Sequence, residues 1–179
     1  MFETSFITLF PEAFPGPLGV SILERARKEG IWDWETIQLR EFGLGKHRNV
    51  DAPPTGGGAG MVLRPDVAAA ALDSIVTDNK HLIYLSPRGK PFTQKMAHEF
   101  ASSRGLIMFC GRFEGLDQRV IDTHGLEEVS MGDFVLSGGE LPAMTVIDAV
   151  ARLVDGVLGD ARSAVEDSFT ADTLDHPHY

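Results

Sequence analysis

The sequence predicts an α/β fold with a mainly parallel sheet, on three observations. Short apolar runs bounded by Gly or Pro recur along the chain, and segments of helical periodicity lie between them. Strand–helix alternation of this kind builds parallel βαβ units. Apolar residues make up 43% and charged residues 23% of 179 positions, ordinary globular usage and long enough for one sizeable core.

The elements follow in order. Phe6-Ile7-Thr8-Leu9-Phe10 stops at Pro11 and reads as a first strand. Val20 to Lys28, stopped by Gly30, reads as a helix with Arg25, Arg27 and Lys28 near its end. Trp34 to Leu39 alternates polar and apolar residues, as a strand with one wet face does. Pro65 to Val76 is Ala-rich and helical, with Pro in the first turn. His81 to Leu85 and Leu106 to Cys110 are short apolar runs of the buried parallel-strand type, and a helix from Thr93 to Ser103 lies between them. Glu127 to Met131 reads as a weaker strand. Glu140 to Val154 reads as a helix with Ala143, Val146, Ile147, Val150, Ala151 and Val154 on one side. Beyond Gly159 the sequence turns polar and loses its period, which places a boundary near residue 160.

Composition excludes several classes. No apolar run approaches the ~20 residues of a membrane helix, and the amino terminus lacks a basic-then-apolar signal. The single cysteine, Cys110, forbids an internal disulfide framework and reads as a core thiol. His47, His81, His98 and His124 have no metal-like spacing, and His176 with His178 reads as a chance pair. The expectation is a soluble, cytoplasmic, single-core protein. Its 26 acidic and 16 basic residues give a net charge of −10, which argues against wholesale nucleic-acid binding. About half of that excess falls after residue 154. Basic groups remain at Arg25–Arg27–Lys28, Lys46–His47–Arg48 and Arg88–Lys90, so a nucleic-acid substrate stays open.

Ligands of open α/β sheets bind outside the carboxyl ends of the strands, and three unusual loops fall there. They are Ser86-Pro87-Arg88-Gly89-Lys90, Gly111-Arg112-Phe113-Glu114-Gly115 and Met131 to Glu140. Glycine permits close backbone approach, so peptide N–H and C=O groups can form a binding edge. One such loop is a tight turn; three at strand ends point to a site. The cluster Gly56-Gly57-Gly58-Ala59-Gly60-Met61 is neither a dinucleotide fingerprint nor a P-loop. It is either a surface loop or a loop that orders over a substrate. No G-x-S-x-G elbow supports acyl transfer.

Together these stretches resemble the bacterial tRNA (guanine-N1)-methyltransferase family, which modifies guanosine 37 beside the anticodon. The resemblance runs through Leu9-Phe10-Pro11 with Phe14, Gly56 to Met61, Tyr84 to Pro87, Cys110 to Gly115 and Gly132 to Met144. It continues through Gly156 to Gly159, Glu166 to Phe169 and Pro177-His178-Tyr179, nearly the whole chain in the family's order. The run from Val135 to Met144 is its most specific part.

The resemblance implies a SPOUT-type α/β fold, with helices on both faces of the sheet and a deep trefoil knot near the carboxyl end. Residues 1–159 would be the knotted catalytic domain. Residues 160–179 would be an interdomain linker carrying the catalytic acid, and the family's carboxyl-terminal tRNA-binding domain would be absent from this chain. The loops would hold S-adenosylmethionine through Tyr84, Leu85, Ser86 and Pro87, through Gly111, Phe113 and Gly115, and through Met131, Gly132, Asp133, Phe134, Val135, Leu136, Gly138 and Gly139, with Pro142 beside them. Gly57, Gly58, Gly60 and Met61 would meet the substrate. A homodimer with shared active sites, a tRNA substrate and no membrane partner complete the expectation.

The chemistry sets its own demands. Guanine N1 carries a proton at neutral pH, so methylation needs a base there and a stabiliser for charge developing towards O6. The resemblance implies Asp167 as the base and Arg152 as the cation that supports the base or the guanine, whose O6 a guanidinium suits. Without the resemblance Arg152 reads as a helix-surface arginine, and Asp167 as a loop acid or helix cap. Glu114 is a further catalytic candidate, as a substrate contact or a Mg²⁺ ligand. Phe113 and Phe134 stand where many members have Tyr, Arg88 where Gln is frequent, and Ala59 where Pro is. The rival readings are a SPOUT methyltransferase for another RNA, a non-catalytic nucleotide-binding dimer module, and a nucleotide hydrolase or kinase, which lacks a phosphate cradle here.

Overall fold

The structure, a computed structural model, describes residues 1–159 together with Ser168 and Phe169. In chain order the first elements are β1 (Phe2–Thr8), α1 (Ser21–Lys28), β2 (Trp32–Gln38), β3 (Asp51–Ala52), β4 (Val62–Leu63) and α2 (Pro65–Asp73). Then come β5 (Lys80–Pro91), α3 (Gln94–Ala101), β6 (Gly105–Phe109), α4 (Gln118–His124), β7 (Glu127–Ser130) and α5 (Glu140–Ala151). Five strands form one sheet in the order β2-β1-β6-β5-β7, and every pairing in it is parallel. β3 and β4 form a separate antiparallel pair.

Side-chain alternation along the central strands divides the core in two. Phe6, Leu106, Met108 and Ile83 pack towards α1, α3 and α5. Ile7, Ile107, Phe109 and Tyr84 pack towards α2 and α4 on the opposite face. The sheet is thus covered on both faces, which is why its inner strands read as unbroken apolar runs. Trp32, fully buried, donates its indole N–H to the Leu23 carbonyl at 2.8 Å, fixing α1 to β2.

Three local readings need correction. β1 begins at Phe2 and ends at Thr8, because Thr4 and Ser5 are polar yet buried in the ladder. The Ser86–Lys90 segment is not a loop after β5 but an irregularity within it. Leu85 and Lys90 both pair with Val129, and the chain bulges between them, where Pro87 offers no N–H to the ladder. α4 went unforeseen, although its signals are ordinary. Asp117 at its N-cap accepts from the Arg119 N–H at 2.9 Å, and Gly125 closes it at φ +64°.

Candidate functional site

The carboxyl ends of β6, β5 and β7 open on a cavity of about 370 Å³. Its walls are the β5 bulge, the segment after β6 and the segment between β7 and α5. Tyr84, Leu85, Ser86, Pro87, Gly111, Phe113, Gly115, Met131, Phe134, Val135, Leu136, Gly138, Gly139 and Pro142 all line it. Gly132 and Asp133 do not. The Gly132 carbonyl instead accepts from Ser130 Oγ and from the Phe134 N–H, so it turns the chain behind Phe134.

Backbone contacts set the distance between the walls. The Gly139 N–H donates to the Gly111 carbonyl at 3.0 Å. A Cβ on Gly111 would come within 2.8 Å of the Tyr84 ring, so glycine lets the loop lie directly on it. The Tyr84 hydroxyl in turn accepts the Leu116 N–H at 3.1 Å. Burial pushes the Tyr84 phenol above its ordinary value. Phe113, at φ +59°, turns outward and leaves half of its surface exposed, as Phe134 does across the mouth.

The glycine cluster is the tip of the β3–β4 pair, and it is tied to the cavity. The Glu114 N–H donates to the Met61 carbonyl and the Leu63 N–H to the Gly115 carbonyl, both at 2.9 Å. Gly60 packs so closely on Glu114 that a Cβ there would meet its carboxylate. Gly57, Gly58, Gly60 and Met61 therefore stand beside the cavity rather than in its wall. A shallow groove of about 420 Å³ continues past Pro54, Gly56, Arg88, Gln118 and Arg119.

Arg112 and Glu140 carry no sequence signal of a role in the site. Arg112 lines the cavity and pairs with buried Glu140, Nη2 to Oε2 at 2.8 Å. Arg88 donates to Gln118 Oε1 at 2.9 Å and lies 3.3 Å from Glu128. Arg152 is exposed at the carboxyl end of α5, outside the cavity lining. Asp167 lies outside the described residues.

Comparison with known proteins shows the family. The profile of the family described as tRNA (Guanine-1)-methyltransferase TrmD matches residues 2–179. The chain belongs to that family. Curated proteins named tRNA (guanine-N(1)-)-methyltransferase resemble it across nearly its full length. One from Cereibacter sphaeroides (strain KD131) is 54% identical over 99% of this chain and 74% of its own. One from Jannaschia sp. (strain CCS1) is 55% identical over 97% and 72%. One from Ruegeria pomeroyi is 51% identical over 100% and 75%.

Among the described residues no helix is long and apolar enough to cross a membrane. Among them, too, no group of three His, Cys, Asp or Glu side chains converges as a metal site. Among the described residues, Glu114 is the one carboxylate in the cavity lining. A lone carboxylate falls short of the donor set that holds Mg²⁺ without help from substrate phosphates.

Proposed function

We propose that this chain methylates N1 of guanosine 37 in tRNA, drawing the methyl group from S-adenosylmethionine, in the cytoplasm and as a homodimer. The observation that carries the reading is the convergence of three backbone-rich segments on one cavity, with the glycine hairpin hydrogen-bonded to its rim. About 370 Å³ falls within the range of small-molecule sites. Walls of peptide groups and apolar side chains suit a ligand with an adenine ring and a flexible tail.

Bound there, S-adenosylmethionine supplies a methyl group on a sulfonium, activated for in-line displacement. The protein's part is orientation and proton handling. The loops hold the donor, and the β3–β4 tip and Glu114 face the incoming guanine. Asp167 takes the N1 proton as the N1–carbon bond forms, and Arg152 supports the charge spreading to O6.

The dimer reading is supported by α5. Its amino end borders the cavity, while Arg152 caps the other end. Twelve residues at the helical rise place those ends about 18 Å apart. An Arg152 that reaches a guanine in this cavity therefore belongs to a second copy.

The test is transfer of labelled methyl groups from S-adenosylmethionine to tRNA carrying guanosine 37, with calorimetric titration alongside and ATP and NAD as controls. Asp167→Ala in the intact protein is expected to abolish transfer while donor affinity stays within a few-fold. Unchanged transfer removes Asp167 as the base. Absence of donor binding in folded protein removes the methyltransferase reading itself.

A further inference from the structure

Glu140 is a carboxylate only 3% exposed, and the proposed proton handling does not use it. It sits at the start of α5. Its Oε1 accepts the Thr8 hydroxyl at 2.7 Å, and its Oε2 lies 2.8 Å from Arg112 Nη2. Arg112 Nη1 donates to the Ser137 carbonyl at 3.1 Å, and the guanidinium stacks 4.4 Å from the centre of the Phe10 ring. A Cβ on Gly138 would fall on that guanidinium, so the chain keeps the space for it. One charge pair thus links the end of β1, the segment after β6 and the segment before α5.

Holding Ser137 in place calls for a donor but not for a charge. Burying two charges costs desolvation that a neutral or apolar pair avoids, so the charges need a separate reason. Arg112 is part of the cavity wall. Left alone, its positive charge would oppose any cation entering. At about 10 Å and an effective dielectric of about 20, two unit charges shift an equilibrium by about tenfold.

Resting on the methyltransferase reading above, we infer that Glu140 is a built-in counter-ion, a specificity-determining residue that acts through Arg112. It cancels the guanidinium in the wall, so that the cavity accepts a sulfonium cation while Arg112 still holds Ser137. The discriminated feature is the ligand's own charge. S-adenosylmethionine carries the sulfonium, and its demethylated product S-adenosylhomocysteine is a neutral thioether of nearly the same shape.

The experiment is calorimetric titration of both ligands into the wild-type protein, Glu140→Gln, Arg112→Gln and the double variant, with circular dichroism to confirm folding. Glu140→Gln is expected to lose about tenfold in affinity for S-adenosylmethionine relative to S-adenosylhomocysteine. Arg112→Gln is expected to move the ratio the opposite way, which keeps the test decisive should Glu140→Gln not fold. The double variant is expected to restore the wild-type ratio. Equal losses for both ligands in the folded single variants make the pair a purely structural clamp and overturn the inference alone. Wild-type protein that binds neither ligand overturns the methyltransferase reading and the inference with it.

Discussion

Replacing Tyr84 by Phe removes one oxygen from the wall of the cavity and nothing else. Tyr84 is 5% exposed, and its hydroxyl is the acceptor for the Leu116 N–H at 3.1 Å. Without it a buried peptide donor loses its partner, a change that costs about 1–3 kcal/mol. For a domain of this size, each 1 kcal/mol lowers the melting temperature by about 2–4 °C. The expected result in urea unfolding and calorimetry is a destabilisation in that range, with faster amide exchange at Leu116. The pH dependence adds a second signature. Burial raises the folded-state phenol above its ordinary value of 10.0, so the folded chain keeps a proton that the unfolded chain releases. That contribution is complete below the unfolded value and is lost as pH rises through the folded one. Tyr84→Phe removes this share of the alkaline loss. Wild-type stability within about 0.5 kcal/mol, together with unchanged Leu116 exchange, would refute the role given to the hydroxyl.

Two further outcomes follow from groups away from the cavity. Cys110 is fully buried, and burial, reinforced by the nearby Glu140 charge, holds its thiol well above the ordinary value. A chromogenic disulfide reagent is therefore expected to titrate no thiol in the native protein within minutes and one in denaturant; native reaction at the rate of a free thiol would contradict the packing. Glu3 is held below its ordinary 4.5, chiefly by its hydrogen bond to Lys80, 2.9 Å away, with Arg104 assisting. Its stabilisation is present above pH 4.5 and is lost as pH falls through the lower folded value, so Glu3→Gln is expected to flatten the acid limb of a urea titration between pH 3 and 6.

The sheet was legible wherever burial on both faces turned a strand into an apolar run, as in Leu106 to Phe109. It was illegible where polar residues are buried by partners far along the chain. Thr8 and Glu140 are 132 positions apart, and neither carries a local sign of the other. The bulge in β5 has the sequence of a loop because Pro87 and Gly89 are loop residues by composition. Only the pairing of Leu85 and Lys90 with the same Val129 shows that the strand resumes. The loops of the site were legible through glycine, whereas Arg112 looked like any surface arginine. The basic cluster of α1 is likewise not a nucleic-acid patch by itself. Arg27 pairs with Asp33, Lys28 with Glu24, and Arg25 with Glu29 and the Val157 carbonyl.

Two buried polar side chains, Tyr84 and Glu140, hold cavity segments in place, and they do so by different physics. Tyr84 is neutral and supplies an acceptor to one peptide N–H. Its removal loosens a wall without changing the field inside the cavity. Glu140 is paired with a guanidinium in the wall, so its removal leaves the wall nearly in place and changes the field. The two substitutions therefore separate shape from charge. Tyr84→Phe should weaken S-adenosylmethionine and S-adenosylhomocysteine by the same factor, because both ligands meet the same displaced loop. Glu140→Gln should weaken them unequally, because only one of them carries the sulfonium. If both substitutions move the two ligands together, charge plays no part in selection and the cavity recognises its ligand by shape alone.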